Sequence, residues 1–187
     1  MHSKYQNLNK INSKIKKKEF FIPKFFVISK KDFKNSKQIL LKIKKIITNK
    51  KIILRSSGHN EDKFENSNAG KYDSIIINKL NEKKISDGIK FLSKKLNHQK
   101  DKIIIQELIE KTQIAGVIFS KDINNKSPYY IINFDKSGKT NLITSGRKNS
   151  SMQTIIIYQE YKVKSIFMKF LNVVKKLEKI FKKSILD

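Results

Sequence analysis

Apolar residues recur at intervals of three and four in four parts of the chain, which is the spacing of one helix face. Ser36 stands just before the second of these series, where its side chain fits a helix N-cap. The pattern therefore predicts four helices. Their apolar positions are Leu8, Ile11 and Ile15; Ile39, Leu40, Ile43, Ile46 and Ile47; Ile85, Ile89, Leu92 and Leu96; and Ile166, Phe170, Val173, Leu177 and Ile180.

Short β-branched or aromatic runs lie between the helical series and predict strands. Helices and strands alternate in the first half of the chain, strands cluster in the second half, and a long helix follows. This order predicts an α+β fold of two lobes, one over about residues 1–98 and the other over about residues 99–187. The predicted strands are 25–28, 52–55, 72–77, 103–109, 114–119, 129–134, 142–144 and 154–158.

The formal net charge is +26, from 42 lysines and arginines against 16 aspartates and glutamates. Such an excess is typical of proteins that bind nucleic acid or a membrane surface. Only Arg55 and Arg147 are arginines, however, whereas nucleic-acid surfaces use arginine for bidentate contacts with phosphate and guanine. The lysines are also dispersed over the outward faces of several predicted helices. We therefore expect a solvated basic surface, and we rank nucleic-acid binding third among the hypotheses.

Several other classes of protein and site are excluded by what the sequence lacks. It has no cysteine, hence no disulfide and no thiolate metal site. No stretch approaches the roughly 20 uncharged apolar residues that a membrane span requires, and residues 1–14 contain no apolar segment of a secretory signal. The sequence also lacks the P-loop, dinucleotide-binding, zinc-protease and serine-hydrolase motifs. We expect a cytoplasmic protein without a membrane partner.

Arg55 ends a predicted strand, and a polar loop at 56–70 follows it. A guanidinium fork beside backbone N–H groups suits a phosphate. Because the chain otherwise uses lysine for its positive charge, arginine at this position indicates that the planar fork is needed. The alternative is a structural ion pair of Arg55 with Glu61 or Asp62, and the local sequence leaves both interpretations open.

Residues 53–77, ILRSSGHNEDKFENSNAGKYDSIII, resemble the V-R-S-S-x-x-x-E-D-x-x-x-x-S-x-A-G-x-x-x-S/T pattern of the nucleotide-binding domain of phosphoenolpyruvate synthase and pyruvate phosphate dikinase. Further matches follow in the family's order. Residues 103–122 are similar to its Q-E-M-V and G-V-x-F-T-x-D strands, residues 141–146 to its V-x-S-G turn, and residues 4–8 to its K-G-A-N-L segment. Together these matches cover nearly the whole chain in register.

The resemblance implies an ATP-grasp fold, in which ATP is held between two lobes. It implies that Lys4 and Arg55 contact the ATP phosphates. It also implies that Gly70 and Ser74 lie in the loop covering those phosphates, where a glycine allows close approach of the backbone.

For the adenine, the resemblance implies a hinge strand that contains Gln106, Glu107 and Ile109. In this interpretation Glu107 and the backbone of Ile109 contact the adenine edge. The alternative for Gln106 and Glu107 is an exposed pair of strand residues. Gly116, in the next matching strand, is explained more simply by a structural role.

The sequence also departs from the family pattern. Residues 134–140, FDKSGKT, stand where the family has G-L-G-E, and M-H-S precedes Lys4 in place of a glycine-rich approach. Residues 184–187 resemble the opening of the family's L-D-I-E-F…Q-x-R-P stretch, whose Glu and Gln hold magnesium. The resemblance therefore implies an ATP-grasp domain truncated at its C-terminal end, with the magnesium ligands missing from this chain.

The leading hypothesis is the ATP-binding portion of a phosphoenolpyruvate synthase-like phosphotransferase. The complete enzyme would pass phosphate from ATP through a histidine to pyruvate or a related acceptor, with ATP and Mg²⁺ as the expected cofactors. A second polypeptide carrying the phosphohistidine and pyruvate domains is the expected partner, and the chain alone is expected to turn over little, if at all. The alternative is a non-catalytic nucleotide-binding or interaction module, including a gene remnant.

Overall fold

The computed structural model describes residues 3–15, 20–58, 74–138, 152–161 and 167–181. These residues form helices and antiparallel strands, so the predicted α+β class is confirmed. The elements are α1 (Lys4–Lys14), β1 (Phe25–Ser29), α2 (Ser36–Ile46), β2 (Ile52–Ser57), β3 (Ser74–Ile77), α3 (Glu82–Ser93), β4 (Lys102–Glu107), β5 (Ala115–Phe119), β6 (Tyr129–Asp135), β7 (Met152–Tyr158) and α4 (Phe167–Phe181).

Helices α2 and α3 each bury one apolar stripe, as their periodicity predicts. Asn81 caps α3, because its side-chain oxygen accepts a hydrogen bond from the backbone N–H of Lys84 at 2.8 Å. Helix α2 begins at Ser36 itself, and its N-cap position is Asn35. The prediction that Ser36 is the cap is therefore wrong by one residue. The Ser36 hydroxyl donates instead to the Glu82 carboxylate at 2.9 Å.

The first sheet has the strand order β1-β4-β2-β3, and every neighbouring pair is antiparallel. Side chains alternate between the two faces of a strand, and one face of this sheet packs against α2 and α3. Gly88 lets α3 approach closely, since a Cβ there would lie 2.7 Å from Leu54 Cδ1. The buried residues of this core are Phe26, Ile28, Ile39, Ile43, Ile47, Ile52, Leu54, Ile77, Ile85, Ile89, Leu92, Leu96, Ile103 and Ile105.

The second sheet has the order β5-β6-β7 and is also antiparallel. Helix α4 covers one of its faces, where a smaller core includes side chains of β6, β7 and α4. Gly116 on β5 lies against β6, and a Cβ at this position would lie only 2.7 Å from the Asn133 carbonyl oxygen. The structural role predicted for Gly116 is therefore confirmed. The core residues are Tyr130, Ile132, Phe134, Ile157, Leu171 and Val174.

The described residues fall into two compact units. The first lies within Met1–Ser13 and Phe21–Ile109, and the second within Lys14–Phe20 and Glu110–Asp187. The division falls after Ile109 and not near residue 98, because β4 is an inner strand of the first sheet, hydrogen-bonded to β1 and β2. The predicted strand 142–144 lies outside the described residues. None of the described helices is long and apolar enough to cross a membrane.

Candidate functional site

Arg55 lies on the face of the first sheet that is turned away from α2 and α3. The adjacent residue Leu54 belongs to the core under these helices, and successive side chains of a strand point to opposite faces. Burial of Ile52 and Leu54 fixes the register of β2, and this register places Arg55 on the other side. We call that side the Arg55 face. Its residues on β2, β3 and β4 include Arg55, Ser57, Ser74, Lys102, Ile104 and Gln106.

The ladder brings two of the predicted phosphate-site residues together. Ser74 on β3 is the direct partner of Arg55, and directly opposite residues have Cβ atoms about 5 Å apart. Arg55 is half-buried, and its guanidinium makes no hydrogen bond or ion pair with any residue that the structure describes. Glu61 and Asp62, its alternative partners, lie outside those residues, so the structural ion pair stays a prediction.

Lys4, the other predicted phosphate ligand, is the first residue of α1. The backbone N–H of Tyr5 donates to Ser57 Oγ at 3.3 Å, and this bond fixes the start of α1 at the end of β2, two residues beyond Arg55. Lys4 is half-buried there. The structure therefore brings the beginning of the chain to the strand that carries Arg55. Gly70 lies outside the described residues, so its predicted role stays a prediction.

Gln106 and Glu107 are adjacent in β4 and lie on opposite faces of the sheet. Gln106 pairs with Ile53 and shares the Arg55 face, whereas Glu107 pairs with Ile52 on the face of the helical core. Gln106 is only 8% exposed, so the interpretation of these two residues as an exposed pair is wrong for Gln106. Its side-chain amide makes no hydrogen bond within the described part of the chain.

Ile109 follows the end of β4 and is 44% exposed. The segment before it is held by backbone hydrogen bonds, since the Glu107 N–H donates to the Lys24 carbonyl at 2.9 Å and the Leu108 N–H to the Lys51 carbonyl at 3.1 Å. The predicted hinge is thus an anchored strand end that leads into an exposed apolar residue. This geometry is compatible with a contact between Ile109 and a planar ligand, and the contact itself stays a prediction.

Lys102 is a residue of the Arg55 face that the sequence does not reveal. It begins β4 and is the direct partner of Ser57 on β2. In the sequence it precedes the apolar run 103–105, which is buried throughout and therefore gives no alternation that would assign a face. Only the register with β2 shows that Lys102 and Arg55 lie on the same side.

The resemblance to the family assigns no magnesium ligand to this chain. Among the described residues, no group of three or more histidine, aspartate or glutamate side chains is placed to hold a metal ion. Asp135 is fully buried and lies in the stretch that replaces the family's G-L-G-E, but it accepts hydrogen bonds from the backbone and hydroxyl of Ser137. These bonds give Asp135 a structural role in the turn after β6.

Comparison with known proteins does not assign the chain to a family. No family model matches it, and a search of curated proteins finds no significant match. The motifs of the sequence and the geometry of the Arg55 face are therefore the features that point to a function.

Proposed function

We propose that the chain binds ATP through the Arg55 face, as the nucleotide-binding portion of a phosphotransferase similar to phosphoenolpyruvate synthase. The observation that carries the proposal is the half-buried Arg55, which stands opposite Ser74 and has no acidic partner among the described residues. A guanidinium in this setting is stabilised most by an anion that accepts two parallel N–H hydrogen bonds, as phosphate does. The proposed fold is the ATP-grasp fold.

The proposed reaction is phosphoryl transfer from ATP to a histidine, and from there to a pyruvate-type acceptor. In such a transfer the protein acts mainly by positioning the phosphates and by offsetting their charge. Arg55 would hold a phosphate, the Ser74 hydroxyl would donate to it, and Gln106 and the end of β4 would lie toward the base. Magnesium would supply further charge neutralisation, but the described residues do not form a site for it, so we assign no step to a metal.

The test is calorimetric titration of the full chain with ATP and Mg²⁺, with circular dichroism to verify the fold. Because the chain carries a charge of +26, non-specific attraction of anions must be removed by working at about 150 mM salt, where exposed charges are largely screened beyond about 8 Å. We expect saturable binding of ATP that exceeds the binding of inorganic tripolyphosphate. A folded protein that gives no heat up to millimolar ATP would refute the proposal.

A transfer assay separates the phosphotransferase from a non-catalytic nucleotide-binding module. Both bind ATP, but only the former should yield a phosphorylated histidine when a polypeptide that carries the missing magnesium-binding segment and a phosphohistidine domain is added. Incubation of ATP labelled at both the β- and the γ-phosphate with such a polypeptide from a phosphoenolpyruvate synthase provides the readout. Binding without any transfer would favour the non-catalytic module.

A further inference from the structure

Lys102 and Arg55 are diagonal neighbours on adjacent strands. Arg55 pairs with Ile104, and Lys102 lies two residues before Ile104 on the same strand and therefore on the same face. Diagonal neighbours in an antiparallel pair have Cα atoms about 7–8 Å apart, which is within reach of long side chains. Two positively charged side chains thus lie on neighbouring strands of the Arg55 face.

Neither cation forms an ion pair with a described acidic side chain, and this includes the Asp32 carboxylate, which is bonded to Ser29 opposite Lys102. Lys102 is half-buried, and neither its ammonium nor the Arg55 guanidinium forms a hydrogen bond or an ion pair with a described residue. The direct partners of Lys102 are Ser57 on β2 and Ser29 on β1, both of them uncharged. Like charges on neighbouring strands repel each other, so this arrangement favours an anion that contacts both.

Ser57 is next to Arg55 on the same face of β2 and directly opposite Lys102. It is fully buried, and its Oγ accepts the N–H of Tyr5, which leaves the hydroxyl proton without an acceptor among the described residues. A buried hydroxyl that accepts one hydrogen bond still has a proton to donate. Arg55 and Lys102 therefore have Cα atoms about 7–8 Å apart with a hydroxyl beside both, and this spacing exceeds the width of one phosphate group.

We propose that Lys102 is a second phosphate-binding residue and that, with Arg55, it makes the Arg55 face a site for a polyphosphate chain. A chain of two or three phosphates places separate charges beside the two side chains, whereas a monophosphate contacts them one at a time. This inference rests on the proposed ATP-binding function for the identity of the nucleotide. Recognition of the polyphosphate by Lys102 is measured separately, by titration with inorganic tripolyphosphate.

The experiment compares Lys102→Gln with Lys37→Gln in the full chain. Lys37 is an exposed lysine on α2, the helix layer on the other side of the sheet, so its removal changes the net charge equally. Each variant is titrated with ATP, AMP and inorganic tripolyphosphate at about 150 mM salt, where distant exposed charges are screened. We expect Lys102→Gln to weaken ATP and tripolyphosphate binding roughly tenfold, the effect of losing one charge-assisted hydrogen bond. AMP binding and the Lys37→Gln variant should change less than twofold.

The possible results distinguish a failure of the phosphate-binding role of Lys102 from a failure of the proposed ATP-binding function. Equal affinities of the two variants for ATP would refute the role of Lys102 while leaving ATP binding intact. Tripolyphosphate binding that depends on Lys102 but is no weaker than ATP binding would uphold the cation pair and refute nucleotide recognition. A parent protein that binds neither ligand would refute both. Lys102→Arg, which keeps the charge, should restore most of the affinity if Lys102→Gln acts through the ligand and not through folding.

Discussion

Arg55 on β2 and Ser74 on β3 are directly opposite partners in the antiparallel ladder. The acidic residues of the family-like motif lie between these two strands in the sequence. Pairing of the strands is nevertheless sufficient to bring the Arg55 guanidinium and the Ser74 hydroxyl to one face of the sheet. The pairing is fixed from the opposite side of the sheet, where Leu54 pairs with Ile75 and Ile52 with Ile77 against the helical core. A packed apolar face thus determines which polar residues meet on the Arg55 face.

Arg55→Ala should weaken ATP binding by about 1–3 kcal/mol, the range for a hydrogen bond to a charged group. Arg55→Lys keeps the charge but loses the planar fork, so it should recover only part of the affinity. Calorimetry at fixed salt gives the dissociation constants, and Lys37→Ala serves as the control for a lost positive charge. If Arg55→Ala binds ATP as tightly as the parent, Arg55 has a structural role and not a phosphate-binding role.

Gln106→Met should weaken ATP binding while leaving stability unchanged or raising it by up to about 1 kcal/mol, because a buried amide without a partner is unfavourable. Gln106 is buried, and its amide makes no hydrogen bond with the described residues. Urea unfolding gives the free energy of unfolding, and calorimetry gives the affinity. Ile104→Val, a change on the same strand and face, is the control for altered packing. A loss of stability well above that of the control would show that the amide holds the fold.

The sequence predicts the elements of the first unit well, because a helix or strand that is buried on one side carries apolar residues at a regular spacing. Ile85, Ile89 and Leu92 mark α3, and all three are buried in the core. The order of the strands depends on pairing between distant segments, which local periodicity does not encode. For this reason the central position of β4 between β1 and β2, and with it the placement of Lys102 beside Ser57, comes only from the structure.

Asp32 should make the stability depend on pH in the acid range. The hydroxyl and the backbone N–H of Ser29 donate to its carboxylate at 2.6 and 2.8 Å, and these bonds lower the pKa of Asp32 below its ordinary value. Since the pKa is lower in the folded state, the stabilisation is present above about pH 4, the unfolded pKa, and is lost as the pH falls through the folded pKa.

The measurement for Asp32 is urea unfolding of the parent and of Asp32→Asn at pH 6 and at pH 3. The variant should be less stable than the parent at pH 6. The difference should shrink at pH 3, which lies below the pKa of this carboxyl in the unfolded state, so that its contribution to stability is being lost. Comparing the two proteins at each pH removes the effect of all other carboxyl groups. A difference that stays constant between the two pH values would contradict the assignment.

Gly138→Ala should destabilise the turn that follows β6 by about 2–4 kcal/mol, because it combines a strained left-handed backbone with overpacking. Gly138 has a φ of +71°, and a Cβ there would lie 1.7 Å from the Thr112 carbonyl oxygen, a backbone atom. Gly88→Ala is the matched control. Its new Cβ would lie 2.7 Å from Leu54 Cδ1 and in ordinary contact with Cδ1 of Ile77 and Ile75, which are side-chain ends that can shift and not backbone atoms. Alanine is also favoured over glycine within a helix by about 1 kcal/mol, which offsets part of the crowding. Thermal unfolding should therefore show a much larger loss for Gly138→Ala than for Gly88→Ala. Equal losses of stability in the two variants would mean that the turn after β6 tolerates a side chain at position 138. The close packing of Gly138 against Thr112 would then not be required for the turn.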